Sequence, residues 1–418
     1  MATGIIAEYN PFHNGHKHQI DCIKKLKKHQ DGGLIACISG SITQRGEFAL
    51  LDKWQRAQAA VKNGINLVIE LPTIFACRSA QDFASGGVRL LASLGIVDTL
   101  AFGTEYPDIK GLQAASAFQP DDHHDQLQAK LKQGLSYGAA VSQLIAENTG
   151  LPNEMLTEPN TILAIEYLRA LKKTDGIAPL PLLRTGAGHN DTASSGQYAS
   201  GTAIRRMALQ GNFRELMPVV PGATLAEIEN TAMFPSTKKQ LPLIIWKLLS
   251  MDMDSIGAIY GVNEGMEYRL KEAACSPACA ASCKALLQEL ATRRYPATRI
   301  QRILMHLLLE NTKDTTAEMT SPLYIRVLAF DDIGRSMLKA IRQKAQLPLI
   351  IKTTDYLGRR DIQHPDRLSP LQKMLYMDIA AANLRELCLA PLPSNPLGEQ
   401  PLKLQSDLTT SPIYVKSL

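Results

Sequence analysis

Short apolar runs alternate with longer stretches in which apolar residues recur every three or four positions. Gly4–Glu8, Leu34–Ser39, Leu67–Leu71, Thr99–Gly103 and Pro181–Arg184 read as strands, mostly buried on both faces. Helical periodicity begins near His13, Asp52, Ala80, Ser136, Thr161 and Thr202. This alternation predicts an α/β fold, a Rossmann-like, doubly wound parallel sheet with helices on both faces. Ligands of such sheets bind beyond the carboxyl ends of the strands. Chemistry-bearing segments fall at those ends: Asn10 to His16, Ser39 to Glu47, Glu70-Leu71-Pro72 and Gly103-Thr104-Glu105. The pattern therefore predicts one shared site.

The rhythm changes near 210–240, where Pro218, Pro221, Pro235 and Pro242 interrupt it. Beyond that the chain reads as mainly helical to about Glu310. Two strand-like runs follow, Tyr324–Phe330 and Leu347–Lys352, and then a helix over Leu368–Leu389. From Pro391 the chain is rich in Pro and Ser and is expected to be loosely ordered. The expected organisation is an α/β domain over 1–210, a mainly helical, partly basic domain over 211–390, and a tail over 391–418.

With 418 residues the chain is long enough for more than one domain, and 45% hydrophobic content gives it a large core. No apolar run approaches the length of a membrane span, and the N-terminus lacks a signal-peptide pattern. A cytoplasmic protein without a membrane partner is expected. The net charge of +5 is locally concentrated: Lys284, Arg293, Arg294, Arg299 and Arg302 lie within one short stretch with a single acid, Glu289. Charge alone makes this stretch a nucleic-acid surface or a solvated helix face with equal weight. Seven scattered cysteines do not form a disulfide framework. Cys275, Cys279 and Cys283 recur every four residues, which stacks them on one helix face, most simply as small buried side chains.

The chemistry concentrates at the first strand end. Asn10-Pro11-Phe12-His13-Asn14-Gly15-His16 follows the apolar run Gly4-Ile5-Ile6-Ala7 and opens a helix. A helix start offers unpaired N–H groups and partial positive charge to a phosphate. Histidines there stabilise the charge that builds up when an α-phosphate is attacked, and Gly15 lets a nucleotide approach the backbone. Ser39 to Glu47 supplies a tight loop with Arg45. Ser200-Gly201-Thr202-Ala203-Ile204-Arg205 reads equally as a phosphate-facing helix start and as a plain cap. A nucleophile elbow, a Walker-type phosphate loop, a dinucleotide fingerprint and a zinc pattern are all missing from the sequence. Adenylyl transfer is the reading left standing.

His13-Asn14-Gly15-His16 resembles the signature of the HxGH nucleotidylyltransferase superfamily. The wider run Gly4 to His16 resembles, more narrowly, the tRNA(Met) cytidine acetate ligase family. The match continues through Ser39-Gly40-Ser41, Gln44-Arg45-Gly46-Glu47, Asp52-Lys53-Trp54, Leu67 to Pro72, Asn160 to Leu163, Arg184, Ala203-Ile204-Arg205, Glu264-Gly265, Arg299 to Leu304 and Tyr324 to Leu328. Three segments depart from it: Gly103-Thr104-Glu105 stands in place of Gly-Ser-Glu, Gly188-His189-Asn190-Asp191 in place of an aromatic-His-Asp run, and Ser200-Gly201-Thr202 in place of Ser-Ala-Thr.

The resemblance implies an ATP-dependent ligase. Acetate and ATP would form acetyl-adenylate, and the acetyl group would pass to N4 of the wobble cytidine of elongator tRNA(Met), giving N4-acetylcytidine. It implies His13 and His16 as catalytic residues. It implies ATP contacts at Ile6, Ala7, Glu8, Tyr9, Asn10, Pro11, Phe12, His13, Asn14, Gly15, His16, Lys17, His18, Gln19, Gly103, Asn160 and Arg184. Mg²⁺ is expected with the ATP. Arg293, Arg294, Arg299 and Arg302 are the candidate tRNA contacts, and no residue is assigned to a resident metal. Two other readings remain at this point: an adenylyl- or cytidylyltransferase for a small phosphorylated cofactor precursor, and a non-catalytic, nucleotide-dependent RNA-binding protein.

Overall fold

The computed structural model describes residues 2–26, 32–184, 196–392 and 397–416. Five parallel strands form the centre of the main sheet: β1 (Ala2–Ala7), β2 (Gly33–Ser39), β3 (Leu67–Leu71), β4 (Val97–Thr104) and β5 (Ala178–Leu183). Their spatial order is β3-β2-β1-β4-β5. The order reverses between β1 and β4, which makes the crevice at their carboxyl ends the ligand position of this architecture. The expected doubly wound sheet is therefore present.

The strands read as continuous apolar runs because both faces are covered. Ile6, Ile35, Cys37, Leu67 and Ile69 enter the core on one side. Ile5, Leu34, Ala36, Ile38 and Val68 enter the core on the other. The helix α1 (Asn14–Lys25) follows β1, and α2 (Lys53–Lys62) precedes β3. Asp52 starts α2 by accepting from the Gln55 N–H (2.8 Å), while the Gln55 side chain accepts from the Asp52 N–H (3.2 Å), a reciprocal cap. A separate core lies among helices of the second half, from Leu241 to Leu307.

The sheet does not stop at residue 210. After the short β6 (Met233–Pro235), the strand β7 (Ile325–Phe330) pairs antiparallel with β3, and β8 (Leu349–Ile350) pairs with β7. The expected division at 210 thus cuts through one sheet, because the apolar edge of β3 is covered by a strand more than 250 residues away in sequence. Nor is the tail loose throughout. β9 (Leu389–Pro391) pairs with β6, and β10 (Ile413–Tyr414) joins β7 at the edge of the sheet. Asp407 in the tail is buried between Lys53 and Arg326, and these cations draw the segment into the fold.

The cysteine stripe is also corrected. Cys275 ends one helix and is exposed, Cys279 is buried at the start of a 3₁₀ turn, and Cys283 opens another helix. Pro277 lies between the first two and lacks the N–H that a continuous helix needs. Cys283 instead donates to the Thr237 carbonyl (3.3 Å).

Candidate active site

The turn after β1 is shaped by its backbone. Tyr9 adopts a left-handed conformation (φ 47°), unusual for a bulky side chain, and the Asn10–Pro11 bond is cis. Tyr9 and Phe12 are buried beneath the turn with ring centroids 4.8 Å apart. Asn10 ties neighbouring loops to it. Its side-chain oxygen accepts from the Leu50 N–H (2.8 Å), and its carbonyl accepts from Arg205 (3.1 Å). Arg56 lies under the same loops, fully buried, and donates to the carbonyls of Glu8 (2.6 Å), Ser39 (3.0 Å), Leu51 (3.2 Å) and Gly40.

His13 is the N-cap of α1, and its Nδ1 accepts from the Gly15 N–H (3.1 Å). His16 Nδ1 accepts from the His13 N–H (3.2 Å). Because both Nδ1 atoms are acceptors, a neutral ring carries its proton on Nε2. The two rings stack with centroids 3.7 Å apart and planes 22° from parallel. Burial, reinforced by Arg184 and Arg205, pushes the His13 pKa down to about 3. Burial holds His16 well below its ordinary value too, with smaller effects of His13 and Arg184. Both imidazoles are therefore neutral N–H donors at physiological pH.

They face a cavity of about 390 Å³ at the carboxyl ends of β1 and β4. Opposite α1, Asn160 donates to Glu105 (2.6 Å) and accepts from Arg184 (3.3 Å). Glu105 also accepts from the Thr161 N–H (3.1 Å), so it serves the start of the helix Pro159–Leu171 and orients Asn160. Arg205 enters from the helix Gly201–Leu209, beside Glu47 (3.5 Å). Glu8 is half-buried at the edge and accepts from the Gln44 N–H (2.7 Å); desolvation pushes its carboxyl pKa up against that bond. A bare Gly103 keeps the β4 end open, since a Cβ there would lie 3.0 Å from Arg184 Cγ.

This geometry has counterparts in known proteins. Residues 1–398 match a family model described as HIGH Nucleotidyl Transferase. A tRNA(Met) cytidine acetate ligase of Caldanaerobacter subterraneus subsp. tengcongensis is 37% identical over 368 residues, covering 86% of this chain and 90% of the relative. Another, of Alkaliphilus metalliredigens, is 34% identical with 99% of both chains covered. The chain belongs to the tRNA(Met) cytidine acetate ligase family. The crystal structure of apo Thermotoga maritima TmcAL superposes with a TM-score of 0.86 at 29% identity and complete coverage of both chains. The same protein bound with alpha-thio ATP gives 0.84 at 27% identity, again with complete coverage.

Most of the residues singled out in the sequence of this family member meet at the cavity: Ile6 to Pro11, His13, His16, Gln19, Gly103, Asn160 and Arg184 line it. Others stand behind or beside it. Phe12 is core. Asn14 fastens the helix start to the carbonyls of Gln197 (3.0 Å) and Pro218 (2.8 Å). Gly15 and His18 border a small recess that adjoins the cavity and shares His16, Gln19, Gly103 and Arg184 with it, and there His18 approaches Cys22 (3.4 Å). Lys17 pairs with Asp21. His189 and Asp191 lie outside the described residues. Glu70 does not share the site: its carboxylate is bound by Lys53 (2.7 Å) and Arg326 (3.2 Å) in a buried ion cluster. Of the four arginines, Arg302 lines the cavity. Arg299 lies over the Tyr295 ring (4.0 Å), Arg294 pairs with Glu264 (3.1 Å), and Arg293 is exposed.

Phe83, Phe102, Leu163, Tyr167 and Thr298 also line the cavity, and no sequence motif marks them as site residues. They sit on helix faces and a strand whose periodicity reads only as core. Thr202 and Arg205 carried a signal, the Ser-Gly-Thr-x-x-Arg start, which reads equally as a cap.

Proposed function

We propose that this chain is an ATP-dependent ligase that activates acetate as acetyl-adenylate and transfers the acetyl group to N4 of the wobble cytidine of elongator tRNA(Met). The observation that carries the chemistry is the stacked, neutral pair His13 and His16, each with its proton on Nε2, lining one cavity with Arg184 and Arg205. Membership of the acetate ligase family supports the substrates, and the likeness to an alpha-thio ATP complex supports the nucleotide.

In the first step an acetate oxygen attacks the α-phosphorus and the bond to the bridging oxygen breaks, releasing pyrophosphate. Negative charge grows on the α-phosphate oxygens. Preorganised N–H donors from His13, His16 and the arginines stabilise it without reorganising water. Neutral imidazoles suit this role because they donate without needing to be protonated first. The chain supplies positioning and charge stabilisation rather than a covalent nucleophile. In the second step the N4 amine attacks the acetyl carbonyl, AMP leaves, and the amine proton is lost.

The proposed nucleotide contacts are the lining residues from Ile6 to Gln19 with Gly103, Asn160 and Arg184. Mg²⁺ is expected as the counter-ion of the triphosphate, held on phosphate oxygens as part of the substrate. The tRNA would approach from the arginine-bearing helix Ala297–Leu308. Among the described residues no helix is long and apolar enough to cross a membrane, and a cytoplasmic reaction fits the proposed substrates.

The test is mass spectrometry of nucleosides from unmodified tRNA(Met) incubated with the protein, ATP and labelled acetate. Labelled N4-acetylcytidine is expected. Unlabelled tRNA, with nucleotide transferred to a phosphorylated metabolite instead, would replace this reading with that of a small-molecule nucleotidylyltransferase.

A further inference from the structure

A second cavity, of about 360 Å³, lies against the nucleotide cavity. Its wall is one face of the helix Ala297–Leu308, carrying Arg299, Arg302, Ile303 and His306 at positions that face the same way on a helix. Lys313, Tyr260 and Ser79 complete the lining. Arg302 lines both cavities. Ser79 caps the helix Ala80–Ser93, whose Ala80 and Phe83 belong to the nucleotide cavity. The partition between the cavities is therefore a guanidinium and a helix start, both electropositive.

The charge of this second cavity is not neutralised from within. Arg299 donates to the Arg294 carbonyl (3.3 Å), Arg302 to the Gln44 carbonyl (3.5 Å) and Lys313 to the Gly257 carbonyl (2.7 Å). Among the described residues none of the three pairs with a carboxylate. The neighbouring acids are engaged elsewhere: Asp82 by Arg78 (2.8 Å) and Ser79 (2.6 Å), and Glu264 by Arg294 (3.1 Å). His306 adds no charge, because burial pushes its pKa down to about 3. Arg299 is held in place over the Tyr295 ring at 4.0 Å, so its fork is preorganised for an oxyanion.

We propose that this cavity holds a phosphodiester group of the RNA backbone beside the acceptor nucleotide, and so registers the cytidine against the adenylate. The proposal rests on the tRNA-acetylating reading above. The same cations would also suit free pyrophosphate, the product of the first step. Two features favour the backbone of a polymer: Lys313 is exposed at the rim, and Arg302 joins the cavity to the reaction site.

The experiment uses Lys313→Gln and Arg299→Gln, each checked for an unchanged melting temperature, with Arg299→Lys as the charge-restoring control. Binding of unmodified tRNA(Met) is measured across a salt series, and acetate-dependent ATP–pyrophosphate exchange is measured without tRNA. Each glutamine variant is expected to weaken tRNA binding about tenfold, the size of one charge-assisted contact. The slope of log affinity against log salt should shrink by about 0.7 to 0.9. Arg299→Lys should recover the slope, and Lys313→Gln should leave exchange at the wild-type rate. Slowed exchange with unchanged tRNA affinity would assign the cavity to pyrophosphate and overturn the proposal. Unchanged tRNA affinity and slope in both glutamine variants would overturn it as well. Failure of the underlying reading looks different: the wild-type protein itself would then form no N4-acetylcytidine.

Discussion

At the carboxyl edge of one sheet this chain builds two groups of polar side chains. In the first, Lys53, Glu70, Arg326 and Asp407 are all at most 2% exposed. Lys53 reaches both carboxylates at 2.7 Å, and Arg326 reaches Asp407 at 2.9 Å and Glu70 at 3.2 Å. Two cations meet two anions, and Arg326 also donates to Thr353 (3.1 Å) and the Asp407 carbonyl (2.8 Å). Burial alone would raise the Asp407 carboxyl, but Arg326 and Lys53 more than offset it and hold it below the usual range. In the second group, His13 and His16 spend only Nδ1 on the protein and face a cavity beside Arg184 and Arg205. The first group is closed on itself and locks β3, β7 and the tail together. The second keeps donors for something the chain does not contain. Similar residue types at the same sheet edge thus do opposite work, according to whether their partners are internal.

The sharpest way to break this contrast is to open the closed group. Asp407→Asn leaves two buried cations against one carboxylate and should cost about 3–5 kcal/mol of stability, read from denaturant unfolding. A loss below about 1 kcal/mol would mean that the tail is not part of the folding unit.

Removing a donor from the open group should reverse the pattern. His16→Ala is expected to slow acetate-dependent pyrophosphate exchange about 10²- to 10³-fold, as for loss of one preorganised donor. Its stability should change by only about 1 kcal/mol, the worth of the single bond to the His13 N–H. Wild-type exchange in His16→Ala would remove the imidazole from the mechanism.

Over any single pH unit, titration has a smaller effect. His13 and His306 have folded pKa values near 3, well below the unfolded value. Between about pH 3 and 6.5 the unfolded chain binds the extra protons, so stability is full above that window and falls on acidification. The slope is about 1.4 kcal/mol per pH unit for each such histidine. His306→Gln should flatten the stability profile between pH 6 and 5 by about one proton. His13 and His16, being neutral, should contribute no step near pH 6.5 to pyrophosphate exchange beyond that of the substrate phosphates; a step that vanishes in His16→Ala would show that His16 carries a proton.

Much of the site was legible before any folding was considered. The apolar runs of β1 to β4 and the polar segments after them place His13, His16 and Gly103 together by topology alone. Glu70 was misplaced because its strand end looks like the others. Its partners Arg326 and Asp407 are remote in sequence, and no local pattern announces them. Phe83 and Tyr167 were illegible for a related reason: a helix face turned to a cavity has the same periodicity as one turned to core.

The sequence by itself determined the sheet, the histidine-capped start of α1 and the family, because these rest on local periodicity, capping and a contiguous motif. Tertiary structure alone decided which charges are consumed in pairs and which are left to face a ligand. That outcome depends on where distant segments close over each carboxylate, and on burial, which turns two histidines into neutral donors.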